Sequence, residues 1–267
     1  MQQLTENVKL FGNGFFNYYV VGQEEAALIE CGTSAGAQIF AGQWAALEDK
    51  PDIKYIVVLH SHFDHVCGIP MLKELFPDAL VVGSSTAQKV LSKEKAMASA
   101  FNSDLYVSKS YLQAGFISEE PEAPACNTIP VDVVVGEGDQ LLLGDTLKLD
   151  ILEAPGHSPC SLAVYLETEQ ILFASDAAGY KTGPGEISPV FFQDYDSYIA
   201  TLNRFKGLPI KTLAMAHGDI IQGDEVAQFL DETIKAAEEA FAFIKTALEA
   251  GEDEEQVGQK VFERYYK

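Results

Sequence analysis

The stretch Val57-Val58-Leu59-His60-Ser61-His62-Phe63-Asp64-His65 decides the fold. It begins within the short, apolar, β-branched run Tyr55–Leu59, which predicts a buried strand. Because an extended backbone projects alternate side chains to one side, His60 and His62 can face the same point. Asp64 and His65 follow as the chain leaves the strand and can turn towards a neighbouring point. Four donors this close together are easier to arrange around two metal ions than around one tetrahedral ion.

The remaining histidines support this interpretation. The chain has 5 histidines, and the two outside the motif each follow a predicted strand, as Asp176 does. Ligand sites gather at strand ends in α/β proteins. Either of these histidines alone would be explained as a surface or hydrogen-bonded core residue, but clustered imidazoles repel one another once protonated and gain little unless they bind a metal. The predicted metal ligands are His60, His62, Asp64, His65, His157, Asp176 and His217.

Strand and helix signals alternate along the chain, which predicts a layered α/β fold. A helix is expected at Pro70–Leu75, with its proline in the first turn. The other predicted strands are Phe16–Val21, Ala26–Glu30, Leu80–Val82, Val131–Val135, Leu141–Leu143, Leu147–Leu152, Leu162–Leu166, Ile171–Ala174 and Thr212–Ala216.

Two segments depart from the alternation. Residues 92–127 are predicted to form a partly helical insertion, which is either a lid over the metal site or a surface excursion without function. After Gly223, apolar residues recur at helical spacing from Val226 to Leu248, and a second helix is expected from Val257 to Tyr265. We therefore predict a metal-binding domain at 1–223 and a C-terminal helical extension at 224–267. The apolar stripe is expected to pack on the domain, with a homodimer contact as the alternative.

Composition restricts the partners. The net charge is −22, from 18 basic and 40 acidic residues, which disfavours nucleic acid and anionic membranes as partners. The acidity does not by itself identify the small-molecule substrate that we expect. No apolar run could span a bilayer and no export signal is visible at the N-terminus, so a cytoplasmic location is expected. The four cysteines form no CxxC pair. Cys67 and Cys160 lie near predicted ligands, where they either pack against the ligand loops or add a thiolate ligand.

The motif and its downstream partners resemble the metallo-β-lactamase superfamily. His-x-His-x-Asp-His is present at 60–65, followed by Gly156-His157, Phe173-Ala174-Ser175-Asp176 and His217-Gly218. This resemblance, over roughly residues 7–223, implies a four-layer αββα sandwich with two divalent metal ions at one edge of its sheets. Zinc is favoured, with iron or manganese as alternatives. By the same resemblance, His60, His62 and His157 would hold the first ion, Asp64, His65 and His217 the second, and Asp176 would bridge them.

Two groups within the superfamily are similar to this chain. Residues 64–70 and 176–179 resemble the di-iron domain of flavodiiron oxygen and nitric-oxide reductases, which usually carry Glu where this chain has His62 and continue into a flavodoxin domain. This chain continues into helices instead, which favours the hydrolases: lactonases, thioesterases and glyoxalase II-like enzymes. Glyoxalase II proper is disfavoured, since no basic cluster for glutathione is visible. The family often has Asp where Glu30 stands, and Gly at Cys67 and Cys160.

The expected function is a metal-dependent hydrolase that cleaves a small ester, thioester or lactone through a metal-bridging hydroxide. Asp64 and Asp176 are the expected catalytic carboxylates. Tyr180 looks like the tyrosine that lactonases of this fold place near the substrate carbonyl, although a packed loop aromatic would also account for it. The alternatives are a di-iron oxygen- or nitric-oxide-reducing protein with a separate electron donor, and a metallated sensor or regulatory module.

Overall fold

A computed structural model describes residues 1–145, 147–183 and 186–266 of the chain. The strands in these ranges are β1 (Gln2–Gln3), β2 (Val8–Gly12), β3 (Asn17–Val21), β4 (Glu25–Ile29), β5 (Asp52–Val57), β6 (Leu80–Ser84), β7 (Val133–Val135), β8 (Gln140–Leu143), β9 (Leu147–Glu153), β10 (Leu162–Leu166), β11 (Ile171–Phe173), β12 (Tyr180–Gly183), β13 (Glu186–Ser188), β14 (Thr212–Ala214) and β15 (Ile221–Gln222).

The helices lie before, between and after these strands. They are α1 (Ser34–Ala45), α2 (Ile69–Leu75), α3 (Ser85–Leu91), α4 (Glu94–Gln113), α5 (Tyr195–Lys206), α6 (Glu225–Glu249) and α7 (Glu254–Tyr265).

The strands form two large sheets and a separate hairpin. The first sheet has the order β1-β2-β3-β4-β5-β6-β7 and the second the order β15-β14-β11-β10-β9-β8, while β12 pairs with β13. The first sheet is antiparallel up to β4 and parallel from β4 to β7. In the second sheet β9, β11 and β14 run in the same direction, so their carboxyl ends reach the same edge.

Three apolar clusters define four layers. Alternate residues of β3 show the arrangement: Tyr18 packs on the side of α1, whereas Tyr19 packs between the two sheets against Phe173 of the second sheet. A third cluster, which includes Phe205 and Phe229, joins the second sheet to α5 and α6. Full burial of each such aromatic side chain contributes roughly 1.5–3 kcal/mol. The predicted αββα sandwich is confirmed.

Most predicted strands are confirmed within a few residues, but several helices were missed. Helix α1 was among those missed, and its two glycines lower helix propensity although its four alanines raise it. Its start is nevertheless marked by Thr33, whose side chain accepts a hydrogen bond from the Gly36 amide at 3.0 Å. Asp194 likewise caps α5 by accepting from the Ser197 amide at 2.7 Å. These capping residues are sequence signals that could have revealed both helices.

The 92–127 segment is built around α4. This helix packs on α1 and on the turn that carries the motif, and the buried Asp104 accepts hydrogen bonds from the backbone and side chain of Ser34 at the start of α1. The helix α6 packs on α5 and on β13, and α7 packs on α6. Among the described residues, no helix combines the length and the apolar character that crossing a bilayer requires.

Candidate metal centre

The motif lies where the two sheets meet. Strand β5 ends at Val57, His62 has an extended backbone, and residues Phe63–His65 form a single 3₁₀ turn. The Leu162 amide of the second sheet donates to the Leu59 carbonyl at 2.8 Å, just before the first histidine. This contact places the motif beside the carboxyl ends of β9, β11 and β14, which carry the other predicted ligands.

One group of ligand atoms consists of three imidazole nitrogens. His62 Nδ1 lies 3.1 Å from His60 Nε2 and 3.0 Å from His157 Nε2. Two nitrogens bound to one tetrahedral zinc ion at about 2.0–2.1 Å would lie about 3.3 Å apart. The spacing of the three nitrogens therefore fits a single ion, and we refer to them as the first ligand group.

The second ligand group consists of Asp64, His65 and His217. Asp64 Oδ2 lies 3.6 Å from His65 Nε2 and 3.6 Å from His217 Nε2, and the two imidazole nitrogens are 3.3 Å apart. These distances also fit one ion. The 3₁₀ turn produces this group, because it rotates the side chains of Asp64 and His65 away from the direction of His60 and His62.

Asp176 lies between the two groups. Its Oδ2 is 3.4 Å from His157 Nε2 and 3.8 Å from His60 Nε2 in the first group, and 3.4 Å from His65 Nε2 in the second. Its Oδ1 is 3.6 Å from His217 Nε2. The structure thus brings all seven predicted ligands together, with Asp176 in the position of a bridge.

Hydrogen bonds behind the ligands orient the imidazoles. His157 Nδ1 donates to the Val190 carbonyl at 2.8 Å and His217 Nδ1 to the Phe15 carbonyl at 2.6 Å. His65 Nδ1 lies 2.9 Å from Glu30 Oε2, and His60 Nδ1 lies 3.3 Å from Ser175 Oγ. With Nδ1 engaged, Nε2 of each ring presents its lone pair to the centre. Partners of this kind fix the tautomer of a metal-binding histidine.

Two of these outer partners have a strained backbone. Glu30 has φ 72° and Ser175 has φ 49°, in the left-handed region that non-glycine residues seldom occupy. Such a conformation costs about 1–3 kcal/mol and persists where the surrounding structure enforces it, often at functional sites. The sequence singled out Glu30 only as a departure from the family pattern. Ser175 and the carbonyls of Phe15 and Val190 were missed altogether.

Burial and mutual repulsion keep the first ligand group neutral. Burial lowers the pKa of His60 well below its ordinary value. Burial, with the nearby imidazole of His157, lowers the pKa of His62 to about 4. Neutral imidazoles have free lone pairs at neutral pH, which is the form that binds a metal.

The carboxylates create a negative centre. Burial alone would raise the pKa of Asp176, but the imidazoles of His65 and His217 hold it well below its usual range, so it is ionised. Burial alone would lower the pKa of His65, but Asp176, Asp64 and Glu30 raise it. In the described part of the chain, Asp176 forms ion pairs with imidazoles and with no lysine or arginine. Buried carboxylates that attract positive charge, placed beside imidazole nitrogens, fit bound cations.

The cysteines pack behind the site. Cys160 accepts a hydrogen bond from the Ser61 amide at 3.3 Å and contacts the Ser158 hydroxyl at 3.2 Å, so it joins the loops that carry His62 and His157. Cys67 is buried in the cluster beside α1. Within the described residues, none of the ligand groups includes a thiol. The structure therefore favours the packing role over the thiolate ligand.

A cavity of about 850 Å³ opens over the centre. The Tyr180 ring lies 6.1 Å from the His217 ring and lines this cavity. The other lining residues are Asn13, Gly14, Phe15, His62, Phe63, Asp64, His157, Asp176, Lys181, Val190, Phe192, His217, Gly218 and Asp219. None of these lies in the insertion, so its role as a lid stays a prediction.

Fold and site together define a protein with a candidate dinuclear metal centre at the edge of an αββα sandwich. A family model described as the metallo-beta-lactamase superfamily matches residues 12–217. The chain therefore belongs to the metallo-β-lactamase superfamily, and this fold implies that it binds divalent metal.

Two relatives illustrate the range within the family. The chain is 25% identical over 227 residues to the metallo-beta-lactamase fold-containing protein ST1585 of Sulfurisphaera tokodaii, covering 83% of this chain and 79% of that protein. It is also 25% identical over 224 residues to putative diflavin flavoprotein A 2 of Synechocystis sp., covering 78% of this chain. The chain spans about 33% of the length of that flavoprotein.

A solved structure with a similar fold is the metallo-beta-lactamase family protein TTHA1429 from Thermus thermophilus. It superposes with a TM-score of 0.70 at 20% sequence identity, covering 98% of this chain and 89% of that one. At this identity the likeness supports the fold alone.

Replacing Asp176 should disrupt both metal positions, because its carboxylate contacts both ligand groups. After loading with zinc, we expect the wild-type protein to hold about two ions per chain, because each ligand group accommodates one. Asp176→Ala should hold less than one, measured by elemental analysis after gel filtration. Asp78→Ala, which changes an exposed carboxylate away from the site, should load like the wild type. Full loading of Asp176→Ala would contradict the bridge.

Replacing Glu30 should weaken one position selectively. Glu30 contacts His65, a member of the second ligand group, so Glu30→Gln removes the charge behind that imidazole and leaves the first group unaltered. We expect about a 10-fold weaker affinity for one of the two ions, in line with the loss of other outer-shell partners. Competitive titration with a chromophoric chelator resolves the two affinities. Equal weakening of both, or of neither, would contradict this assignment.

Proposed function

We propose that the protein is a metal-dependent hydrolase of small esters, thioesters or lactones. The observation that carries this proposal is the open cavity over both ligand groups, with the Tyr180 side chain at its wall. A carbonyl compound that enters this cavity meets the candidate metal centre directly. Its volume of about 850 Å³ lies in the range of small-molecule sites.

Bound divalent ions would supply hydroxide at neutral pH and an electrophile for the carbonyl oxygen. The chain's own residues provide the arrangement. Asp176 ties the two ligand groups together, and Asp64 completes the second. In the overall reaction the oxygen of water forms a bond to the carbonyl carbon and the ester or thioester bond breaks. The proton of that water goes to the departing alkoxide or thiolate.

Tyr180 is suited to donate a hydrogen bond to the carbonyl oxygen. Burial, together with the charge of Asp176, raises the pKa of the Tyr180 phenol, so the side chain stays protonated at neutral pH. A neutral phenol in the cavity wall can stabilise the negative charge that develops on the oxygen during attack, once its hydroxyl turns from Ser188 towards the substrate. We therefore assign Tyr180 the role of oxyanion donor.

The donor set favours zinc as the native metal. It contains five imidazoles and two carboxylates, and imidazole nitrogen suits zinc well. His62 contributes a neutral nitrogen where the flavodiiron proteins usually carry a glutamate. The first ligand group therefore consists of imidazoles only, and the carboxylate that it shares with the second group is that of Asp176.

A di-iron reductase is the second candidate, since the chain matches a diflavin flavoprotein over most of its own length. Imidazole and carboxylate ligands also accept iron. Electrons would then have to come from a flavin group on another domain or on a separate donor protein.

Parallel assays of zinc-loaded and iron-loaded protein separate these two functions. We expect the zinc form to cleave p-nitrophenyl acetate, a thioester or a γ-lactone, and expect no consumption of oxygen or nitric oxide by the iron form supplied with reduced flavin. Apoprotein prepared with a chelator is the control. Gas consumption by the iron form, with no carbonyl cleavage by either form, would overturn the hydrolase proposal.

Replacing Tyr180 tests its role. Tyr180→Phe removes only the hydroxyl and should lower kcat about 10-fold, less than the loss typical of a dedicated oxyanion-hole donor because a metal shares the charge. Metal content should remain at the wild-type level. The control is Tyr195→Phe, which alters a tyrosine stacked on Phe241 away from the cavity. An unchanged kcat in Tyr180→Phe would leave the phenol only a packing role.

A further inference from the structure

Two exposed phenylalanines stand at the cavity. Phe15 is 57% exposed and Phe192 is 63% exposed, and both line the cavity above the ligand groups. A single exposed apolar side chain is common on a protein surface and carries no functional meaning by itself. Two phenyl rings that share one cavity with a candidate metal centre are different, because apolar walls are what small-molecule sites use to bind apolar ligands.

Each ring belongs to a different side of the centre. The Phe192 ring lies 5.2 Å from the ring of His157, which is in the first ligand group. The backbone carbonyl of Phe15 accepts the hydrogen bond from His217, which is in the second ligand group. A carbonyl group placed over Asp176 would therefore have one phenyl ring towards each of its two substituents.

Neighbouring aromatic rings hold both phenylalanines in place. The Phe15 ring packs edge-on against Tyr111 and Phe116, at centroid distances of 6.1 Å and 5.4 Å. Both partners belong to the 92–127 insertion. Exposed rings supported in this way are ordered before a ligand arrives, which reduces the entropy lost on binding.

The C-terminal segment supports the other ring. Tyr266 lies 5.8 Å from the Phe192 ring, and its hydroxyl donates to the carbonyl of Pro189. The insertion and the C-terminal segment, which both lie outside the alternating core of the sandwich, thus each support one side of the cavity.

We propose that Phe15 and Phe192 form an aromatic clamp that selects substrates with apolar groups on both sides of the reacting carbonyl. The substrate class is then an ester or thioester with an apolar acyl chain and an apolar leaving group. This proposal rests on the hydrolase function and specifies the substrate of the same site. One ring contacts the acyl chain and the other contacts the leaving group.

A matrix of four thioesters tests the clamp. Acetyl and hexanoyl groups are each joined to mercaptoethanol and to benzyl mercaptan, and thiol release is followed with a chromogenic disulfide. In the wild type, we expect each apolar group to raise kcat/KM about 10-fold. Phe15→Ala should abolish one of these two gains, and Phe192→Ala should abolish the other. Loss of the same gain in both variants, or of neither, would overturn the clamp.

Two measurements separate the clamp from simple damage to the site. Metal content of both variants should equal that of the wild type, because the backbone carbonyl of residue 15 is retained. Phe262→Ala is the matched control, since Phe262 is 53% exposed and lies on α7 outside the cavity lining. It should keep both gains.

A binding experiment keeps the clamp testable if no thioester is cleaved. N-benzylhexanamide has the same apolar groups and an amide in place of the reactive bond, and its affinity for zinc-loaded protein can be measured by calorimetry. Each alanine variant should bind it about 10-fold more weakly than the wild type, and the double variant about 100-fold. Such losses without any turnover would support the clamp and refute the hydrolase. Turnover with unchanged affinity in every variant would refute the clamp alone.

Discussion

The carboxylate of Asp176 is the contact on which the rest of the centre depends. It is buried among imidazoles supplied by both sheets, and its oxygens lie within 3.8 Å of nitrogens from His60 and His157 in one ligand group and His65 and His217 in the other. An ionised carboxylate in such surroundings needs cationic partners. The two halves of the sandwich are thus joined at their edge by an arrangement that is balanced electrostatically when metal is bound.

The ligand set could be predicted because every ligand atom belongs to a side chain, and the sequence gives the identity of each side chain. Closely spaced imidazoles after a buried strand rarely occur without a metal to bind, and a chain with only 5 histidines offers few further candidates. Parallel orientation of β9, β11 and β14 then brings His157, Asp176 and His217 to one edge. The layered α/β class followed from the alternation of strand and helix patterns, with boundaries shifted by a few residues, whereas the four-layer sandwich followed from the resemblance to the superfamily.

Other parts could not be predicted, for two physical reasons. Backbone carbonyls leave no trace in a sequence, so the acceptors behind His157 and His217 were invisible until the chain was folded. Helix α1 depends partly on tertiary contacts, since its two glycines allow close packing but weaken its own propensity. The aromatic lining of the cavity could not be predicted for a related reason: Phe15 and Phe192 lie in short connections, and only the fold shows that both segments reach the same cavity.

Residue 15 has two roles, one in orienting a metal ligand and one in shaping the cavity, and these roles belong to different parts of the residue. Its main-chain oxygen orients His217, while its side chain faces the cavity. Replacement of the phenyl ring leaves the oxygen in place, and the same holds for Val190 behind His157. Substitutions at these two positions can therefore change which substrates the cavity accepts while the hydrogen bonds to the two ligand groups are kept. One scaffold can thus acquire new substrates by single substitutions.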